Sequence, residues 1–423
     1  MNQFSSNRAF LQEKQESIQK QKALVFGESL CTESALFTLS GLGFEEILHF
    51  SSIPRPKTKS ILQPFSRKDS WIHSVQQSMD MYMPHIQYQG VLSEPMTFLI
   101  NECKPTVCID TTHTKQTNER IADIAQKLSI PYVNTKVQQY KIRLDVQPNV
   151  FESSYSNHWM QILAGCLVAD EARKKTVLFQ DSEESISRMT TLNFTKDLKT
   201  KKNQYWQEKK HSHSVIVGAG GIGTYTALCE ALKGTEQITI IDPDTIEIQN
   251  LNRQLLYGPF IGKPKAQTLA SRLHIIHPKG RIDYQNTSFS QSTIPKNAQL
   301  FCCTDNYASR LEVAQYAEKQ NIPLIEAGCS ATSGILSSYV PHKTRTITEK
   351  RNLKAFAQRE KEQTRRETSC AQNVNPSIIT PNIVMGTLAS LYANYRLDET
   401  QIVKELDQNL CFNSLLNTKI YSQ

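Results

Sequence analysis

The sequence predicts an α/β fold of two tandem Rossmann-like units that form an internal pseudo-dimer, each with a parallel-rich sheet flanked by helices. Two internal repeats support this prediction. A strand, a turn, a helix and a second strand follow one another twice, with Gly27 and Gly218 in register at an offset of 191 residues. A second strand–helix–strand pattern repeats at an offset of 192 residues. Such alternation is typical of βαβ units, and long-range self-similarity indicates a duplicated unit.

The first repeat keeps step without a gap for about 25 residues, GESLCTESALFTLSGLGFEEILHFSS over GAGGIGTYTALCEALKGTEQITIIDP. In both copies a glycine follows the helix, which is a common helix-ending signal. The second repeat enters its last strand through the same dipeptide, Ile130-Pro131 and Ile322-Pro323. A weaker third match sets Gly165 on Gly386. We therefore expect one unit over about 1–195 and a second over about 205–423, joined by a polar, Lys-rich junction.

Composition narrows the class of protein. The 48 Lys and Arg residues exceed the 40 Asp and Glu residues by 8, which is too mild an excess to predict a nucleic-acid partner. No apolar run approaches the ~18 residues that a membrane span needs, and the N-terminus lacks the apolar stretch of a secretory signal. None of the 10 cysteines forms a C-x-x-C pair, so we expect no zinc site. These features predict a cytoplasmic protein without a membrane partner.

A glycine-rich turn in the second unit indicates a nucleotide site. GAGGIG follows a strand and opens a helix, so its glycines, Gly218, Gly220, Gly221 and Gly223, can turn main-chain N–H groups towards a phosphate. Asp242 ends the next strand, where a carboxylate can accept from a ribose hydroxyl. This pair of signals is shared with dehydrogenases, and by itself it leaves a nicotinamide or flavin enzyme open.

Polar and charged residues downstream favour a triphosphate over a nicotinamide. They are Asp244, Asn250, Asn252, Arg253, Gln254, Lys265, Asp305 and Asn306. Each taken alone is compatible with a solvated surface charge. Together, two cations and a carboxylate beside the phosphate end fit ATP, Mg²⁺ and a phosphorus centre on which charge develops. A hydride-transfer enzyme instead needs a clear face for its nicotinamide.

The first unit lacks these residues at the corresponding positions. Ser29, Leu30 and Thr32 stand where the second unit has Gly220, Gly221 and Gly223, and Ser51 and His113 stand where it has Asp242 and Asp305. Backbone cannot approach a phosphate closely where a leucine replaces glycine. We expect the first unit to keep the fold and to have lost the ability to bind a nucleotide.

The order GAGGIG, IDPD, NLNRQ, GKPKA and CTDN resembles the ThiF/MoeB/HesA group and the ubiquitin-activating enzymes, closely over about 215–340. The resemblance implies that Asp242 binds the ribose and that Asn250, Arg253 and Gln254 hold the phosphates. It further implies that Lys265 neutralises the triphosphate, and that Asp305 holds Mg²⁺ and orients the reacting carboxylate.

The resemblance also implies the reaction and its partners. The C-terminal carboxylate of a ubiquitin-like or sulfur-carrier protein, usually ending in Gly-Gly, attacks the α-phosphate of ATP and forms an acyl adenylate. A conjugating enzyme or a sulfurtransferase would act next. In the ubiquitin-activating enzymes an inactive half pairs with an active half, as we expect of the two units here. The sequence does not decide whether two whole chains also form a homodimer. An N-terminal arginine reaches the ATP across the halves in the family, and Arg8 is the candidate here, with a plain surface charge as the alternative.

A basic segment of the second unit ends near a candidate nucleophile. Residues 342–368 hold nine Lys or Arg and four Asp or Glu with few apolar residues, which predicts a mobile crossover loop over about 342–369. Cys370 follows it, and a basic setting favours the thiolate. We expect Cys370 to accept the activated carboxylate as a thioester, with an exposed or helix-capping cysteine as the alternative. Cys329 is the second candidate, although a strand-end position favours a packing role.

Three other functions stay open. A peptide-modifying adenylase of the same family would carry a peptide-binding domain where this chain has its first Rossmann-like unit. A non-catalytic scaffold would not need Arg253, Lys265 and Asp305. A nicotinamide oxidoreductase is the remaining alternative.

Overall fold

The protein is represented by a computed structural model of the 423-residue chain. The described residues are Phe4 and residues 14–52, 60–62, 70–92, 97–139, 141–147, 157–177, 190–193, 213–330, 333–366, 377–395, 410–413 and 420–422. Most of the predicted junction between the units lies outside these ranges. Over the described ranges, no helix has the length and apolar character that a bilayer span requires.

The first unit contains a seven-stranded sheet in the order β3-β2-β1-β4-β5-β6-β7. Its first five strands in that order run parallel, and β6 and β7 are added antiparallel. The strands are β1 Lys22–Phe26, β2 Glu46–Ser51, β3 Gln87–Leu92, β4 Val107–Asp110, β5 Tyr132–Gln138, β6 Lys141–Asp145 and β7 Thr190–Asn193.

The second unit repeats this topology and extends it by one strand, in the order β10-β9-β8-β11-β12-β13-β14-β15. Here too the first five strands are parallel and the rest antiparallel. The strands are β8 His213–Val217, β9 Gln237–Ile241, β10 Arg281–Gln285, β11 Gln299–Cys302, β12 Leu324–Cys329, β13 Ser333–Tyr339, β14 Leu410–Asn413 and β15 Ile420–Ser422. The predicted fold of two tandem α/β units is confirmed, whereas their outer boundaries stay predictions.

Helices connect the strands of both units. Those of the first unit are α1 Lys14–Ile18, α2 Leu30–Leu42, α3 Trp71–Tyr82, α4 Thr97–Cys103, α5 Lys115–Lys127 and α6 His158–Val177. Those of the second are α7 Gly221–Lys233, α8 Lys265–Ile276, α9 Tyr307–Gln320, α10 Ile347–Lys350, α11 Leu353–Arg366 and α12 Ile379–Tyr395. Three 3-10 turns, Ile248–Asn250, Leu255–Tyr257 and Phe289–Gln291, lie in the loops of the second unit.

Four helices form a buried layer that both units share. α2 and α6 come from the first unit and α7 and α12 from the second, and every residue of α2 and α7 is buried. One continuous apolar cluster joins this layer to the inner faces of both sheets. Helices that are buried on all sides must be covered by other protein surface. Each unit therefore covers the helices of the other.

The third, weaker repeat marks equivalent packing contacts in this layer. A Cβ added at Gly165 would lie 2.0 Å from Cys31 O, and one added at Gly386 would lie 2.6 Å from Ile222 O. Cys31 and Ile222 hold corresponding positions in the first repeat, 191 residues apart. The helix that follows each Rossmann-like turn is thus packed against a later helix through the same close approach in both units.

Polar side chains cross the helix layer between the units. The Trp159 indole N–H donates to Ser390 Oγ over 2.9 Å, and Ser390 donates to Glu230 Oε1 over 2.6 Å. Glu230 is fully buried and pairs with Lys233 at 2.6 Å. Burial by itself raises the pKa of Glu230, but the Lys233 ammonium and the hydrogen bonds outweigh it and lower that pKa to about 2. A buried ionised carboxylate is stable only because these partners are present.

The segment 342–369 differs from the prediction, because the structure folds most of it into α10 and α11. Thr346 caps α10 by accepting from the Glu349 N–H over 3.3 Å. In α11 the Phe356 ring stacks on Tyr307 with centroids 4.9 Å apart, and Glu360 accepts from the Tyr307 N–H over 2.8 Å. The segment therefore gains its helical structure by docking on α9, which its local composition does not reveal.

Glu230→Gln should lower the free energy of unfolding at pH 7, since the neutral amide loses the Lys233 ion pair. The folded-state pKa of about 2 lies below the usual 4.5, so the carboxylate's contribution is present above pH 4.5 and is lost as the pH falls towards 2. Denaturant unfolding across this range should show the difference from wild type shrinking with falling pH. The exposed Glu362→Gln serves as control and should match wild type; a pH-independent difference would contradict the ionised-carboxylate account.

Candidate functional site

The predicted site residues gather at the carboxyl edge of the second sheet. The central parallel strands β8, β9 and β11 end at Val217, Ile241 and Cys302, so the loops that follow them start side by side. In open α/β sheets, this edge is where ligands bind. The glycine turn, Asp242 and Asp305 each follow one of these strands.

The glycine turn is tight and leaves the start of α7 uncapped by side chains. A Cβ added at Gly223 would lie 1.8 Å from Gly218 O, so no other residue fits where the helix passes the turn. Gly220 is the N-cap residue and no side chain caps the helix there. The space beside Gly220 is open, with Gln254 Nε2 4.0 Å from an added Cβ as its nearest neighbour. The helix N-terminus therefore faces a hollow of the kind that accepts a phosphate.

Asp242 is tied to the glycine turn. Its Oδ2 accepts from the Ala219 N–H over 2.6 Å, and its Oδ1 accepts from the Asp244 N–H over 2.8 Å. Burial raises the pKa of Asp242, while nearby Lys265 and these two N–H groups oppose the shift. The carboxylate is held rigidly beside the turn, and each oxygen keeps a further lone pair for a ligand hydroxyl.

Lys265 is the first residue of α8 and is mostly buried. Its ammonium pairs with Asp244 Oδ2 at 2.9 Å, while the side chain of Asp244 is 63% exposed. Asp244 is therefore the outer member of the pair and can move into solvent. An anionic ligand would then contact the Lys265 ammonium, whose charge is neutralised by Asp244 in the structure.

Arg253 and Asp305 are close enough for their charges to interact. Arg253 Nη1 donates to Gln249 O and to Asn252 Oδ1, both over 2.9 Å. Burial lowers the pKa of Arg253, and the charges of Cys329 and Asp305 oppose that shift. Asp305 is exposed at the start of the loop that leads into α9. The structure thus places the Arg253 cation within electrostatic reach of the Asp305 carboxylate, whose Oδ1 accepts from Asn306 Nδ2 over 3.5 Å.

Two amide side chains of the site cap backbone N–H groups, and a third is a candidate to contact a bound ligand. Asn250 Oδ1 accepts from the Glu247 N–H over 3.0 Å, and Asn306 Oδ1 caps α9 by accepting from the Ser309 N–H over 2.8 Å. Gln254 is 2% exposed, and its Oε1 has no hydrogen-bond partner within the described part of the chain. A buried amide atom without a partner is costly, and a ligand at this position would satisfy it.

Two residues that the sequence did not indicate also shape the site. The Tyr257 hydroxyl donates to Ala219 O over 2.5 Å and ties the loop after Arg253 to the glycine turn. Asn382, on α12, fills the space beside Gly221, where an added Cβ would lie 2.0 Å from its Oδ1. Both act by packing, and neither belongs to a motif whose spacing could have identified it.

Arg8 and Cys370 lie outside the described residues, so their roles stay predictions. The nearest described residue after Cys370 is Ser377, whose carbonyl accepts from Asn252 Nδ2 over 3.1 Å. Cys329, the second cysteine candidate, ends β12 beside Asn382, and burial raises its pKa to about 12. That thiol is poorly suited to be a nucleophile at neutral pH. Cys302 and Cys303 are buried, as a core role predicts.

The corresponding edge of the first unit is filled by its own side chains. Thr32, at the position of Gly223, accepts from the Ser29 N–H over 3.1 Å and contacts the Thr111 hydroxyl at 2.7 Å. A Cβ at Gly27 would lie 2.1 Å from Thr111 Oγ1. The hydroxyl of Thr32 therefore takes an N–H group that would otherwise face a phosphate.

A buried segment covers the same edge of the first unit. Ile61 and Leu62 are 2% and 1% exposed, and their N–H groups donate to the Glu33 carboxylate. Apolar side chains thus stand in the core next to the first turn of α2, which follows the Rossmann-like turn of the first unit.

Comparison with known proteins gives the family. The ThiF family model matches residues 196–418, which is more than half of the chain. The chain is 31% identical over 159 residues to a ubiquitin-activating enzyme E1-like protein of Saccharomyces cerevisiae, covering 36% of this chain and 25% of that protein. It is 31% identical over 144 residues to the sulfur carrier protein ThiS adenylyltransferase of Escherichia coli, covering 32% of this chain and 56% of that protein.

A third relative matches over a longer stretch. The molybdopterin-synthase adenylyltransferase of Haemophilus influenzae is 26% identical over 216 residues, covering 50% of this chain and 82% of that protein. This chain thus spans a quarter of the first relative's length, about half of the second and most of the third. The ThiF match covers the second unit, whose glycine turn and polar loops are described above, and the chain belongs to the ThiF family.

Proposed function

We propose that the second unit binds ATP with Mg²⁺ and adenylates the C-terminal carboxylate of a ubiquitin-like or sulfur-carrier protein. One observation carries the proposal: Arg253, Asp305 and the glycine turn lie at the carboxyl edge of the second sheet, together with Gln254 Oε1, which finds no hydrogen-bond partner among the described residues. Membership of the ThiF family and the names of the relatives, two adenylyltransferases and a ubiquitin-activating enzyme, support the same reaction.

The site fits the parts of ATP. The uncapped start of α7 suits a phosphate, and Asp242 suits the ribose hydroxyls because its oxygens are fixed by the turn. Arg253 and Lys265 supply the positive charge that a triphosphate needs, with Lys265 exchanging its Asp244 partner for phosphate oxygens. Asn250 and Asn306 contribute by fixing their loops, since both oxygens already cap backbone N–H groups.

The chemistry follows from this arrangement. A carboxylate oxygen of the protein tail attacks the α-phosphorus, the bond to the β-phosphate oxygen breaks, and pyrophosphate leaves with the electron pair. Arg253 would stabilise the negative charge that grows on the phosphoryl oxygens. The exposed Asp305 carboxylate would hold Mg²⁺ through the hard oxygen ligand that this ion prefers, and the ion would supply positive charge for the leaving pyrophosphate.

The first unit would serve as structural support, with one nucleotide site per chain. Its own edge is filled by Thr32, Thr111 and the Ile61–Leu62 segment. We further propose that Arg8 reaches the triphosphate from the first unit. A conjugating enzyme or sulfurtransferase would then take the activated carboxylate.

Asp305→Ala should abolish ATP–pyrophosphate exchange, because it removes the metal ligand and the group that orients the attacking carboxylate. The assay uses small Gly-Gly-ended carrier proteins as the acceptor and radiolabelled pyrophosphate as the readout. His113→Ala is the matched control, since His113 holds the same repeat position in the first unit. It should exchange at the wild-type rate.

The same assay separates the alternatives. Exchange that survives Asp305→Ala would refute the site assignment. Exchange with short peptides but not with carrier proteins would favour a peptide-modifying adenylase. Absence of exchange together with a spectral change of added NADH would favour an oxidoreductase.

Cys370→Ala should leave exchange intact and abolish a reductant-sensitive adduct between this chain and the carrier protein, since adenylation precedes acyl transfer to the thiol. Cys329→Ala is the matched control and should retain the adduct, because burial raises the pKa of Cys329 to about 12. Gel shift and intact mass of the unreduced protein report the adduct. If the adduct is lost in Cys329→Ala and kept in Cys370→Ala, the nucleophile is Cys329 and not Cys370.

A further inference from the structure

We infer that the first unit directly positions the phosphate-binding loop of the second, through Gly41 on α2 and Tyr82 on α3. The inference rests on the proposed function and adds to it two residues that lie outside the nucleotide site. Both contact the segment 250–258, which carries Arg253 and Gln254. Gly41 and Tyr82 are therefore positioning residues that act through that segment.

The first contact fixes the main chain next to Arg253. A Cβ added at Gly41 would lie 2.5 Å from the carbonyl oxygen of Asn252, so α2 meets this carbonyl with no room for a side chain. Asn252 is fully buried, and its Oδ1 is one of the two acceptors that hold the Arg253 guanidinium. The backbone position of Asn252 thus sets both the start of the Arg253 side chain and one of the groups that aim it.

The second contact fixes the far end of the same segment. Gly258 has a φ of +34° and lies so close to Tyr82 that an added Cβ would be 2.4 Å from the ring atom Cδ1. The Arg272 guanidinium lies over the same ring, 4.0 Å from its centroid. Tyr82 and Arg272 are 6% and 5% exposed, so the ring fills a tight space between α8 and the loop.

The segment between these contacts has little freedom of its own. Leu255, Leu256 and Tyr257 are 0–1% exposed, and the Tyr257 hydroxyl bonds the glycine turn. Displacement of either end would therefore be transmitted to Arg253 and Gln254 instead of being absorbed by the loop. A shift of a binding group by about 1 Å can cost up to a hundredfold in rate, so such contacts matter for the site.

The test measures Mg·ATP binding to the full chain by calorimetry, below the unfolding temperature of every variant. Arg253→Ala should weaken binding, and Gly41→Ala should weaken it by about tenfold because its Cβ displaces the Asn252 carbonyl. Combined with Arg253→Ala, the Gly41 substitution should add less than about twofold, since its effect runs through the missing guanidinium. A purely structural role of Gly41 would lower stability without this loss of additivity.

Controls use residues of the same helices. Thr38 lies one turn before Gly41 on α2, where its hydroxyl donates to Ser34 O over 2.8 Å and also interacts with Cys166. Thr38→Ala should bind ATP as wild type does. Tyr82→Phe keeps the ring that contacts Gly258 and should also bind normally, whereas Tyr82→Ala should weaken binding by about tenfold. If Gly41→Ala does not fold, the comparison of Tyr82→Phe with Tyr82→Ala tests the positioning role.

The outcomes distinguish the two proposals. If wild type binds ATP, Arg253→Ala weakens binding, and both Gly41→Ala and Tyr82→Ala bind normally, the positioning role is refuted and the proposed function stands. Equal effects of Gly41→Ala in both backgrounds would also refute the positioning role. Failure of the wild-type chain to bind Mg·ATP would overturn the proposed function and this inference together.

Discussion

The layer of four buried helices between the two sheets is the constraint on which the rest of the structure depends. α2 and α7 are buried along their whole length, and one apolar cluster runs through the layer into both sheets. A helix that is buried on all sides must be covered by other protein surface, so neither unit can lose its partner without exposing the apolar cluster that they share. The first unit therefore has a structural role whether or not it binds a nucleotide, because it completes the core of the second.

The two units differ at the carboxyl edges of their sheets through a small number of side chains. The strand order is the same and the glycine contacts of the helix layer are equivalent. After the first strand of each unit, however, Thr32 accepts from a main-chain N–H group in the first unit, whereas Gly223 of the second unit has no side chain that could do so. Side chains at a few positions therefore change the hydrogen bonding at this sheet edge, while the fold remains unchanged.

Local pattern was sufficient to predict the fold and the sheet edge at which the described site candidates lie. The strands, the glycine turn and the polar loops are each encoded within a few residues, and parallel strands bring their ends to one edge. What the sequence could not reveal depends on distant contacts. The helix α11 forms where Glu360 and Phe356 dock on α9, and Asn250 and Asn306 turned out to cap backbone N–H groups. The approach of Gly41 to Asn252 joins positions 211 residues apart, which no local motif records.

The central claim is that each chain holds one nucleotide, at the edge of the second sheet, with the first sheet closed to it. Equilibrium dialysis against labelled ATP with Mg²⁺ measures the number of molecules bound per chain at saturation. The account predicts a value of one, reduced to none when Arg253 and Lys265 are both replaced by alanine. Two bound molecules, or one that survives the double replacement, would contradict it.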